Sequence, residues 1–327
     1  MSHNTQPNRR EFLTLAAGVF AVSAVPFVAR RRGRLHAQLH MRSLPVMGTT
    51  AEIAVLHGDA AYAQAGMLAA LREMQRVEFA MTRFSVASDI GRANAMAGQQ
   101  RVAIAAETAL VIQTALAWAD VTNGGFDPAL ARVVDLWDVK HRHTPPAHEQ
   151  VQRLAGRHLY RSIDADQQSV FVREPDALID LGGIACGYGV DRAVAVLRDW
   201  GIHNGYINVG GDIYALGHDA DGEPWQVGVR SPADANALIT TVPLSDAAIA
   251  TSGDYEQGYT YRGRRYHHII DPASAEPRLT RTHTLTVVAD KCIDADAAST
   301  AVFGLSQAAA QRVLALRAPT SRIVANG

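Results

Sequence analysis

The sequence predicts an α+β fold, mostly antiparallel sheets with packed helices, and three observations carry that prediction. Long helical patterns fill the first part of the chain, strand patterns dominate from Ser169 onward, and there strands mostly follow strands. Regular alternation of strand and helix would have indicated a doubly wound parallel sheet, whereas succession favours antiparallel pairing.

"TTAEIAVL" (Thr49–Leu56) alternates as a half-buried strand does. A long helix is expected from Ala60 to Val86, because Ala63, Met67, Leu71, Met74 and Phe79 recur at helical spacing. Ser88 to Asn94 reads as a turn or short helix, and Glu107 to Thr122 as a second long helix stopped by Asn123-Gly124-Gly125. Lys140 to Gln152, rich in His and Pro, reads as an exposed connection. "SVFVR" and "ALIDL" are strand-like runs that lead into a glycine turn. After the turn, Val190, Ala193, Val194 and Leu197 form one helix face, closed by Gly201 as C-cap. "GYINVGGDIYALG" and "WQVGVR" read as a strand pair, followed by "TVPLS" and "AAIATSG". "YTYRGRRYHHIID" reads as a hairpin about Arg262-Gly263. "HTLTVVA" is the last strong strand before a helix from Asp294 to about Leu305, a helix Gln307–Arg317 and a strand Arg322–Ala325. No internal repeat is seen.

With 327 residues the chain holds one large domain or two ordinary ones, and 48 % hydrophobic against 19 % charged residues suffices for a sizeable core. A net charge of −1 gives no overall field toward nucleic acid or anionic lipid, and two cysteines cannot by themselves build a zinc site. The N-terminus carries Arg9-Arg10, Glu11, Phe12-Leu13 and a moderately apolar stretch to about Val28. Gly18, Ser23 and Pro26 interrupt that stretch, which is short for a bilayer span. The expectation is a twin-arginine export signal over 1–29, a basic linker over 30–42 and a single domain over 43–327, the mature form periplasmic and without a membrane span.

Four segments carry chemistry. "DLGGIACGYGVDRA" (Asp180–Ala193) puts four glycines in eight residues at a strand-to-helix turn, where backbone approaches something closely. It lacks the Gly-Lys-Ser/Thr of a P-loop, and Arg192 stands where a dinucleotide fingerprint needs its third glycine. Tight strand–helix packing is the plainer reading. "DKCIDADAASTAVFG" places Asp296 and Thr300 on one helix face; a carboxylate and a hydroxyl are hard oxygen donors that suit Mg²⁺. An acidic helix start also arises simply from the helix dipole. "HHIIDP" offers His268 as a general base, and "GGFDPAL" is an acidic turn after a helix.

Together and in order, these segments resemble the flavin transferase family, the ApbE-type FAD:protein FMN transferases. The resemblance runs from about Met47 to Gly304 through "MGT", "FDP", "DLGGIACGYGVD", "NVGGDIYALG", "ATSGDY", "HHIIDP" and "DADAAST". Each segment alone is weak and the ordered set is specific. The resemblance implies an ApbE-like fold with FAD in a crevice between subdomains and Mg²⁺ at its pyrophosphate. It implies metal ligands at Asp296, Thr300 and the carbonyls of Gly183 and Ser299. Met47, Phe84, Gly125, Phe126, Asp127, Asp180, Cys186 and Ile270 match positions that contact FAD. Phe84 replaces a tyrosine common in relatives, and Cys186 a lysine or glutamate. The two cysteines flank site segments and are a candidate pair in an oxidising compartment. The implied reaction is attack by a threonine or serine hydroxyl of an acceptor protein on the phosphorus attached to riboflavin, with release of AMP. His268 and Asp296 are the catalytic candidates. The implied acceptor is an exported or membrane-bound redox subunit. With water as acceptor the same site is an FAD pyrophosphatase, and without turnover a periplasmic flavin-binding protein.

Overall fold

The computed structural model describes residues 37–234 and 236–327. The expected export signal and most of the basic linker lie outside them. The chain opens with a hairpin, β1 (Gln38–Val46) and β2 (Thr49–His57), paired from Gln38↔His57 to Val46↔Thr49. Met47 and Gly48 form its turn, both at positive φ (54° and 72°), as a two-residue hairpin turn requires. β1 begins inside the stretch read as linker, because β2 supplies a full ladder that no local pattern reveals.

Asp59 caps α1 (Ala60–Met81) by accepting from the amides of Ala61 and Tyr62. The helix ends at Met81 and does not run to Val86: Thr82 turns extended and Ser88 caps α2 (Asp89–Ala95). Ala63, Met67, Leu71 and Met74 are buried as the spacing predicts, but Phe79 is 63 % exposed. There follow β3 (Val102–Ala103), α3 (Ala106–Val121), α4 (Ala131–Trp137) and α5 (His148–Gln152), the last inside the expected connection. β4 (Ile163–Ala165) and β5 (Ser169–Val172) join β3 in a small sheet ordered β3-β5-β4. "ALIDL" is not a strand. It makes one bridge, Leu178 to Leu130, while Ile179 and Leu181 fill the core beneath α3.

The second half comprises α6 (Ala185–Asp199), β6 (Gly205–Val209), β7 (Asp212–Leu216), β8 (Trp225–Arg230), β9 (Leu238–Leu244) and β10 (Ala247–Gly253). β11 (Gly258–Tyr261), β12 (Arg264–His267), β13 (Ile270–Asp271), β14 (Glu276–Pro277), β15 (Thr284–Ala289), α7 (Cys292–Ala301), α8 (Gln307–Arg317) and β16 (Arg322–Asn326) complete it. The hairpin about Arg262-Gly263 forms as expected, β11 against β12. "WQVGVR" does not pair with "GYINVGGDIYALG". That segment is itself a hairpin, β6–β7, and β8 pairs with β9.

One seven-stranded antiparallel sheet, ordered β1-β2-β6-β7-β10-β15-β16, organises the molecule. On one face α1 and α6 bury Met67, Leu71, Met74, Val190, Val194 and Leu197 against Ile53, Val55 and Ile207. On the other, the β8–β9 hairpin buries Val227, Val229, Val242 and Leu244 against Ile213, Ile249 and Val288. This is the α+β, antiparallel architecture expected. Among the described residues no helix is long and apolar enough to cross a membrane.

Candidate active site

The glycine turn answers the question it raised in two ways. A Cβ on Gly187 would lie 2.3 Å from the carbonyl oxygen of Cys292 and 2.8 Å from Cβ of Asp296, so this glycine lets α6 and α7 touch backbone to backbone. Gly189 makes room for the Met47 sulfur in the same way, 2.8 Å from where its Cβ would stand. Packing therefore explains these two. Gly183 is different. Its missing side chain would face Thr300 Oγ1 at 3.3 Å and the Phe126 ring at 3.4 Å, so three of the predicted site segments meet there.

α7 is docked onto α6 by Asp191, whose carboxylate accepts from the amides of Cys292 (2.8 Å) and Ile293 (3.0 Å) at the start of α7. One turn on, Asp296 is 6 % exposed and its Oδ2 accepts from the Gly187 amide at 2.9 Å. Burial, with Asp212 and Asp191 nearby, holds its pKa well above the ordinary carboxylate range. Asp212, at the head of β7, is likewise pushed up by burial, to about 7, with the Cys186 thiol nearby. Ser252 Oγ, at the end of β10, bonds Ser299 Oγ at 2.8 Å and Thr300 Oγ1 at 3.3 Å. The raised carboxyl groups of Asp296 and Asp212 and the row of hydroxyls gather oxygen donors whose environment favours a cation. One carboxylate with hydroxyl and carbonyl oxygens is a hard donor set, and it fits Mg²⁺. Among the described residues no cluster of three or more His, Cys, Asp or Glu side chains has metal-binding geometry.

The remaining predicted residues divide into those near this pocket and those used elsewhere. Phe126 is buried against Gly183, and the Gly125 carbonyl is held by Arg278. Asp127 spends its carboxylate on the amides of Ala129 (2.8 Å) and Tyr160 (3.3 Å), and burial raises its pKa to about 6. Its part is to shape the loop. Asp180 pairs with Arg83 at 2.9 Å, which also forks onto Asp135 and stacks 4.4 Å from the Phe84 ring. Phe84 is 83 % exposed. Ile270 packs in a separate core with Trp137, Tyr259 and Tyr266, while its neighbour Ile269 joins the core of Phe126. Cys186 and Cys292 are free thiols, so the candidate pair is not bridged; each sulfur instead faces a main-chain carbonyl, of Val209 and Ile213 respectively.

His268 follows β12. Its Nδ1 is buried with no hydrogen-bond partner, and burial beside His267 lowers its pKa to about 4. It is therefore a neutral imidazole with an unused nitrogen at pH 7.

The sequence model of the ApbE family matches residues 47–323. The chain belongs to the ApbE family. The FAD:protein FMN transferase of Klebsiella pneumoniae (strain 342) is 33 % identical over 236 residues, 71 % of this chain and 73 % of that protein. That of Vibrio cholerae is 28 % identical over 275 residues, 83 % of this chain and 82 % of its own. Among solved structures, the ApbE protein of Thermotoga maritima superposes with a TM-score of 0.79 at 28 % identity, covering 88 % of this chain and 93 % of its own. The flavin transferase ApbE from Vibrio cholerae gives 0.76 at 26 %, covering 86 % and 91 %. The chain is thus an enzyme of the transferase class with the ApbE fold. Sequence reasoning missed Asp191, Asp212, Ser252 and Arg278 in this ApbE-family site. Asp212 and Ser252 lie inside the quoted segments "NVGGDIYALG" and "ATSGDY", where an acid or hydroxyl at the end of a buried strand was the signal available.

Proposed function

We propose that this chain transfers FMN from FAD to the hydroxyl of a threonine or serine on an acceptor protein, in a Mg²⁺-dependent reaction that releases AMP. The observation that carries it is α7 itself, which holds Asp296, a buried carboxylate among acidic neighbours, against Gly187 and, one turn on, sets the Thr300 hydroxyl beside Gly183 of the same glycine turn. Asp296, Thr300 and the carbonyls of Gly183 and Ser299 would hold the cation. When bound, it supplies positive charge to a diphosphate. Phe126, with the Gly125–Asp127 loop and Met47, would line the FAD crevice between subdomains, and Arg83–Asp180 with Phe84 its rim. In the transfer, the acceptor oxygen bonds to the phosphorus attached to riboflavin and the bond from that phosphorus to the bridging oxygen breaks. AMP leaves with the oxygen, and His268 Nδ1 takes the hydroxyl proton. Export by the twin-arginine route would place the reaction in the periplasm, on an exported or membrane-bound redox subunit.

The test is co-expression with a candidate acceptor and mass spectrometry of that acceptor. The wild-type chain is expected to add an FMN-sized mass on threonine or serine, and Asp296→Ala or excess EDTA to remove it. An adduct formed equally well by Asp296→Ala would sink the metal assignment. FAD cleaved to free FMN and AMP with no adduct would establish a pyrophosphatase instead.

A further inference from the structure

Arg278 has no part in the chemistry above, yet it ties together three of the segments around the site. Its guanidinium forks between two main-chain carbonyls, Phe303 at 2.6 Å and Gly125 at 2.8 Å. Phe303 lies just past α7, three residues beyond Thr300, and Gly125 begins the loop of Phe126 and Asp127. Its main chain is tied as well. The amide donates to Ile269 O at 2.8 Å, and the carbonyl accepts from His267 Nε2 at 3.0 Å. His267 Nδ1 accepts from the Ile269 amide, so the proton sits on Nε2 and the bond to Arg278 has one polarity. Gly304, at φ 74°, turns the chain away after α7; a Cβ there would stand 3.3 Å from Arg278 Cδ.

We propose that Arg278 is a positioning residue for the flavin-nucleotide site, one clasp that fixes the Gly125–Asp127 loop and the end of α7 against the segment bearing His268. This rests on the flavin-transfer reading of the site. The geometry selects arginine: its planar fork serves two carbonyls in different segments at once, which a lysine ammonium on a flexible stem does not reproduce. Both acceptors are neutral, so the side chain acts through placement of these loops.

The test compares wild type with Arg278→Lys, which keeps charge without the fork, and Arg278→Met, which keeps length alone. Amide hydrogen exchange and FAD binding by flavin fluorescence are read well below the melting temperature of each variant. Both variants are expected to exchange faster at 124–127 and 302–304 and to bind FAD about tenfold more weakly or worse. If Arg278→Met does not fold, Arg278→Lys alone decides. A variant that melts earlier but matches wild type in exchange and FAD affinity would show a merely structural role and overturn the clasp. Full rescue by lysine would overturn it in favour of charge. Wild type that binds no FAD would instead overturn the flavin-transfer reading on which the clasp rests.

Discussion

Cys186 sits where a charged contact to the nucleotide is implied by family resemblance, and its surroundings decide what it does instead. Burial and the nearby Asp212 and Asp296 push the thiol pKa well up, so it stays a neutral thiol whose S–H is directed at the Val209 carbonyl. A neutral thiol holds no phosphate and is no nucleophile. Cys186→Ala is therefore expected to leave FMN transfer within about threefold of wild type, measured as the rate of adduct formation. A loss of a hundredfold would show that the thiol touches the nucleotide. Asp180 is the contrary case: Asp180→Asn removes one of the two carboxylates that hold the partly buried Arg83, Asp135 remaining, and is expected to cost roughly 0.5–1.5 kcal/mol, read from the denaturant midpoint. Single residues were legible where chemistry dictated type: Asp296 and Thr300 share a helix face by spacing alone, and in the fold Asp296 lies against Gly187 and Thr300 against Gly183. The partner of Asp180 was not legible, because Arg83 lies 97 positions earlier and only the tertiary fold brings it near.

At the scale of elements, the α6–α7 contact is the joint on which the pocket depends. Gly187→Ala would thrust a methyl against the Cys292 carbonyl and Asp296 Cβ. Neither atom is the end of a flexible side chain, so the helices must part, at an expected cost of about 1–3 kcal/mol with loss of metal-dependent activity. Gly189→Ala meets only the Met47 side chain, which can swing aside. It is expected to cost less than about 1 kcal/mol. Chemical denaturation of the two variants checks the contrast, and equal costs would contradict this account of the glycines. Periodicity found most elements, since α1, α3 and α6 each turn an apolar face to the core, while β15 reads as a continuous apolar run because both its faces are covered. It failed where pairing is decided at a distance. β1 is a strand because β2 lies beside it, and β8 leaves "GYINVGGDIYALG" for β9 because its Val227 and Val229 are needed over Ile213 and Ile249. "ALIDL" reads as strand because it is apolar throughout, yet it is core filling with one bridge.

For the molecule as a whole, the fold keeps an unusual number of carboxyl groups out of water, and this sets how its stability answers to pH. Burial raises Asp127 and Asp191 to about 6 and Glu256 to about 7, against ordinary values of 3.8 and 4.5. Between the unfolded and folded values the folded state binds more protons, so lowering the pH through this window favours folding. Each group contributes at most about 3 kcal/mol. His268 acts the other way: with a folded pKa of about 4 against 6.5 unfolded, it costs stability as the pH falls from 6.5 to 4. His267, also lowered by burial, adds to that cost. Asp212, Asp294 and Asp296, also raised by burial, act with these three, so the acids prevail over the two imidazoles. Below about pH 4.5 the balance turns, because Glu73, held at about 2 by Arg76 and Arg192 against 4.5 when unfolded, then binds its proton more readily in the unfolded chain. In EDTA the melting temperature is thus expected to rise from pH 8 to about pH 5 and to fall below pH 4. Glu256→Gln should flatten the rise, while His268→Gln should steepen it. A melting temperature that falls steadily from pH 8 to pH 5 would mean that these acids are hydrated in the folded protein.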